Sequence, residues 1–179
     1  MSEFIPFPPP PPVESLALVG FRLNPASEGP QFYTLFAMEG ENDRPLMRDG
    51  RILFFRTPAE AKRALSATDD DSMRKLGPAP TELDAMCDIA QALFLANSAG
   101  EDEDGLLLEA VACLDDLVRA TRLNVPAEYM SVLSALSERL MQISEFGTWL
   151  TEQGLDRERL EDAIMWCVGA VAVKSSWIE

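Results

Sequence analysis

Residues 101–120, EDEDGLLLEAVACLDDLVRA, leave this chain few ways to fold. Across 106–114 Glu109 is the one polar residue. Wound into a helix, Glu109, Asp115, Asp116 and Arg119 fall on one strip with Ala112 between them, and leucine, alanine, valine and cysteine cover the rest of the circumference. A surface helix hides one apolar stripe; a helix that is apolar almost all round has to be surrounded. The stretch therefore predicts the central helix of a larger assembly. The four acids Glu101, Asp102, Glu103 and Asp104 precede it, at the end where the helix dipole favours negative charge.

What comes before that helix reads as β-structure. Residues 15–23 (SLALVGFRL) and 31–38 (QFYTLFAM) predict two strands, separated by a loop with Asn-Pro and Gly-Pro breakers. Residues 45–48 and 51–56 predict a hairpin around Asp49-Gly50, because a tight hairpin turn needs positive φ at both central residues. Thr57-Pro58-Ala59-Glu60 follows with a capping threonine, a proline at the first helical position and a glutamate three residues on, predicting a helix to about residue 67. Residues 68–80, acid-rich and ending in Gly-Pro-Ala-Pro, read as a linker.

The remainder predicts helices. One spans 81–98, with Thr81 as cap and Asp84 and Asp88 one turn apart on its polar face. After the central helix, others start at Pro126 and Asp156, and a short one surrounds Trp149. The segment 163–173 is apolar throughout, which predicts a second buried helix. The expected fold class is α+β: a proline-rich arm at 1–12, a small antiparallel sheet with one helix at 13–67, the linker at 68–80, and an acidic α-helical bundle of about five helices at 81–179. One face of so small a sheet would be left for the helical half, or for a second copy of the chain as a homodimer.

In the arm, Phe7 and the four prolines after it resemble the FPPPP core read by EVH1 domains, with Pro6 where an acid usually stands. That resemblance implies a polyproline II ligand for an aromatic groove.

Charge and side-chain chemistry narrow the function. The net charge is −15, and it is uneven: through residue 79 nine Lys/Arg face eleven Asp/Glu, a net of −2, and after it six face nineteen, a net of −13. Such a chain is repelled by nucleic acid and by anionic membranes. It has no histidine, which removes Ser–His and Cys–His nucleophile pairs and His-ligated zinc. No Walker A or Rossmann glycine pattern occurs, and Lys62, Lys75 and Lys174 are not placed for Schiff-base chemistry. The three cysteines, Cys87, Cys113 and Cys167, are odd in number and widely spaced, and read as free buried thiols. No signal peptide is evident, and the longest uncharged apolar run, 163–173, is too short to cross a bilayer; a reducing cytoplasm is expected.

Only carboxylates are left to carry chemistry. The acid run before Gly105 resembles an EF-hand loop, but counting from that glycine puts Gly100 and Val111 where acidic ligands belong. The leading expectation is a non-enzymatic acidic interaction protein, of immunity, adaptor or chaperone type, that binds a basic partner protein without a cofactor. Its contact residues would be Glu101, Asp102, Glu103 and Asp104, then Asp115 and Asp116. The alternative is a Mg²⁺-dependent hydrolase holding its metal with Asp84, Asp88, Glu109 and Asp116. That arrangement resembles the all-α nucleotide pyrophosphatases in fold type, although the chain's ExxE, Glu158 to Glu161, sits on the last helix. A third reading is a structural subunit of a homo-oligomer.

Overall fold

The computed structural model describes residues 15–38, 43–97, 105–137 and 156–178. Its layering follows from alternation along the strands. In β1 (Ser15–Arg22), Leu18 points into one apolar cluster while Val19 and Phe21 point into another. β2 (Phe32–Met38) runs antiparallel to it, with Leu18 opposite Leu35. Leu35 and Ala37 accordingly join Leu18, and Phe36 joins Val19. In β5 (Arg51–Phe54), Ile52 and Phe54 take one side, and Leu53 with the following Phe55 the other. Side chains two apart share a face, so a strand apolar on both faces must be covered on both.

Both faces are covered. Helices α1 (Ala61–Ala67) and α2 (Asp71–Lys75) place Ala61, Ala64, Leu65 and Met73 against Leu18, Leu35 and Leu53. On the other face lie α3 (Ile89–Asn97), α4 (Leu106–Thr121), α5 (Ala127–Ser137) and α6 (Arg157–Val173). They share one core with Val19, Phe21, Phe36, Ile52 and Phe54, so they form a layer on the sheet. The protein is an α+β fold. α4 is the central helix its sequence predicts: it touches α3, α5 and α6 and also reaches the strands. Of the two coverings expected for the second sheet face, the helical half or a second copy, the helical half is the one that fills it.

The sheet draws strands from the whole chain. Its first part has the order β3-β2-β1-β6, with β3 (Arg44–Pro45) and β6 (Ala85–Asp88); its second has β4-β5-β7, with β4 (Met47–Arg48) and β7 (Ser175–Trp177). β6 lies parallel to β1, and β7 parallel to β5. The two parts meet where Tyr33 and Phe55 exchange backbone hydrogen bonds of 2.8 and 3.0 Å.

Local chemistry sets several boundaries. Asp49 and Gly50 both have positive φ, 53° and 68°, as the tight β4–β5 turn requires. Glu60 accepts from the backbone amides of Arg56 (2.9 Å) and Thr57 (3.0 Å), the reach-back of a capping box. Gly20 lies under Pro30: a Cβ there would sit 2.6 Å from the proline Cγ.

The structure corrects three expectations. The helix predicted over 81–98 starts only at Ile89, and Ala85–Asp88 is strand. The open edge of β1 needs a backbone partner, and a strand supplies one where a helix cannot. Asp84 and Asp88 therefore share no helix. The linker contains α2, capped by Asp70, whose carboxylate accepts from the amides of Ser72 (2.9 Å) and Met73 (3.3 Å). The segment 163–173 is not buried all round: Met165 and Val173 are 50% and 68% exposed, because α6 meets its neighbours on one side. The arm at 1–12, the acids at 101–104 and the helix around Trp149 fall outside the described residues. Trp177 belongs to β7 and packs edge-on against Phe32, at 5.6 Å between ring centroids.

Candidate functional site

Where β6 and β1 face α4, a cavity of about 440 Å³ opens to solvent. Buried Val19, Phe36 and Cys87 form its floor, and half-buried Met38, Ala112 and Cys113 form its walls. Four carboxylates border it, from separate parts of the chain. Asp43 comes from the segment before β3, Asp84 from the approach to β6, and Glu109 and Asp116 from α4. The described lining includes no lysine or arginine.

Each acid has a distinct setting. Asp84 is stitched to β1: its carboxylate accepts from the Leu18 amide at 2.7 Å, and its own amide donates to the Leu18 carbonyl at 2.9 Å. Glu109 is exposed at the mouth. Asp116 is half-buried, and burial pushes its carboxyl up to about 6; Arg119 opposes the shift, while Asp43 and Asp115 reinforce it. Arg119 bridges Asp115 at 2.8 Å and Asp116 at 2.7 Å across the turns of α4. The strip read from the sequence is thus present, but only Glu109 and Asp116 of its acids face the cavity.

Asp88, proposed with Asp84 as a metal ligand, is turned away. The residue is 6% exposed, and its carboxylate takes the Arg22 guanidinium at 2.6 and 3.0 Å and accepts the Gln91 amide at 3.0 Å. It ties β1 to β6 and caps α3. Among the described residues no group of three or more acids or thiols is arranged to hold a metal ion. Of the residues nominated for partner contact, Asp116 lines the cavity, Asp115 sits beside it in the Arg119 bridge, and Glu101 to Asp104 lie outside the described residues. Asp43 was missed by the sequence. It stands in a charged turn with no periodic pattern, and only the fold brings it to α4.

Two thiols meet in the cavity. Cys87 directs its Sγ toward the Ala110 carbonyl of α4 at 3.8 Å. Neighbouring Cys87 and burial hold the thiol of Cys113, one turn further along, well above the ordinary range. Cys167, on α6, is buried elsewhere, and burial pushes it up to about 12. Sequence spacing had kept these cysteines apart; β6 and α4 bring two of them together.

The strained Asp116 gives a test. An acid with a raised folded pKa favours folding less as pH climbs, because the unfolded chain releases its proton first. Here stability is lost between the ordinary value of 3.8 and about 6, and stays lost above. Asp116→Asn should therefore melt above the parent at neutral pH. The expected gain is about 1–2 kcal/mol after allowance for partial solvent screening. The gap should close as pH falls to about 4. Equal melting at neutral pH would show that the carboxylate is not strained.

No family model matches the chain, and no curated protein or solved structure matches it.

Proposed function

We propose that this is a non-enzymatic interaction protein that binds a basic partner protein, one of whose lysine or arginine side chains enters the acidic cavity. The observation that carries this reading is the convergence of Asp43, Asp84, Glu109 and Asp116 on one cavity with an apolar floor. A long cationic side chain has the matching shape: its methylene stem covers apolar surface while its charged head stays among acids. A net charge of −15 would speed encounter with such a partner and make the encounter sensitive to salt. Glu101 to Asp104 lie just ahead of α4 in sequence and would add to the same field. An immunity-type, adaptor or chaperone role fits this reading, and the three cysteines suit a reducing cytoplasm. Among the described residues no helix is long and apolar enough to cross a membrane.

Titration calorimetry with a lysine-rich peptide tests it, in parallel with the same peptide acetylated on its lysines. The unmodified peptide should bind at low salt and lose affinity as salt rises. Asp43→Asn with Glu109→Gln should weaken it about tenfold or more, since two close charges are removed. Equal binding of both peptides, or of parent and variant, would end the proposal. The Mg²⁺-hydrolase reading has Asp84, Glu109 and Asp116 on the border of this cavity, but they are not gathered closely enough to form a metal-holding group. A rise in melting temperature with millimolar Mg²⁺ would support that reading instead.

A further inference from the structure

We infer that Cys87 and Cys113 form a modification site, a dithiol that closes to a disulfide under a peroxide-class oxidant and ties β6 to α4 beneath the cavity. Three observations carry it. The Cys87 sulfur lies 3.8 Å from the Ala110 carbonyl, on the face of α4 that Cys113 shares one turn later. Cys87 stands near enough to Cys113 to help hold its thiol above the ordinary range. Both line a cavity that opens to solvent, so a small oxidant reaches a pair in which Cys87 itself is only 2% exposed.

The pair is built as a switch rather than a permanent staple. A disulfide needs sulfurs about 2.05 Å apart with β-carbons about 3.5–4.5 Å apart, so closing the bond draws β6 and α4 together at this point. Cys87, burial and acidic neighbours hold the Cys113 thiol well above its ordinary range, so oxidation is slow and needs sustained exposure. The half-buried Cys113 reacts first. Its sulfur attacks one peroxide oxygen, the O–O bond breaks, and a first water leaves, giving the sulfenic acid. The Cys87 sulfur then attacks the Cys113 sulfur and the S–O bond breaks. The departing hydroxyl takes the Cys87 proton as a second water. Two thiols are oxidised, and one peroxide is reduced to two waters.

The full-length protein is treated with hydrogen peroxide, or with diamide as a second oxidant, then unfolded, alkylated and weighed intact. The parent has three thiols; it should keep one alkylatable and lose about 2 Da before alkylation, the two thiol hydrogens. Digestion should yield a peptide linking Cys87 to Cys113, and dithiothreitol should release it. Cys167→Ser should behave like the parent and end with no free thiol, whereas Cys113→Ser should form no internal bond. Three alkylatable thiols after prolonged treatment would overturn the inference. So would sulfinic acid without a cross-link, or a bond involving Cys167 or a second chain. The parent measurement stands alone if a variant fails to fold.

Discussion

Phe21→Ala should cost the fold about 3–5 kcal/mol, the range for truncating a large buried aromatic. Phe21 is 1% exposed, in a strand that has neighbours on both edges. Its ring stacks on Phe32 at 5.4 Å between centroids and meets Phe54 edge-on at 5.6 Å. It also lines a second cavity, apolar and of about 250 Å³, between the sheet, α4 and α6. Removing the ring would enlarge a void whose walls already fail to close, so little relaxation can offset the loss. Urea denaturation should show a lower midpoint with an unchanged slope. Phe21→Leu should recover much of the difference. A loss under about 1 kcal/mol would mean that strand and helices pack independently of this ring.

Asp88→Ala should also destabilise strongly, by more than the roughly 1 kcal/mol of a lost helix cap. One carboxylate here ends β6, starts α3 and holds Arg22 of β1. Taking it away leaves the α3 amide without its acceptor and the guanidinium without its counterion. Asp88→Asn keeps an oxygen for the Gln91 amide and loses only the charge, so it should fall between parent and alanine in thermal melts. The alternative role for Asp88 predicts the opposite sign. Acids gathered to await a metal repel one another, and removing one would raise the melting temperature of the metal-free protein.

Signals lying within a few residues were legible in the sequence. Asp49-Gly50, the Thr57–Glu60 box and the apolar girth of α4 each carry their own structural cause, and each appears in the fold. β6 could not be read this way. Met86, Cys87, Ala90, Leu93 and Phe94 are spaced like one face of a helix, and Ala85 to Asp88 contains no β-branched residue. That segment is extended because β1 offers an edge and Arg22 offers a charge, and both lie 66 residues away in the chain. β7 is a similar case: Ser175–Trp177 is a strand only because β5 lies alongside.

The cavity was half legible for the same reason. Its α4 acids follow from a helical strip that the sequence shows directly. Asp84 was named, but on a helix that begins only at Ile89. Asp43 and the Cys87–Cys113 meeting depend on which strand lies against α4, and no local pattern holds that information.

The parallel pairing of β7 with β5 bears on how the molecule comes into being. Ile52 lies opposite Ser175, and the Ile52 amide bonds to the Lys174 carbonyl at 2.8 Å. Contacts so distant along the chain require a long loop to close and slow the search for the native state. During synthesis the outer edge of β5, with apolar Ile52, Leu53 and Phe54, stays unpaired until more than a hundred later residues have emerged. An open apolar strand edge invites pairing with other chains. The segment after residue 79 carries six Lys/Arg against nineteen Asp/Glu, and like charge of that size opposes close contact between copies.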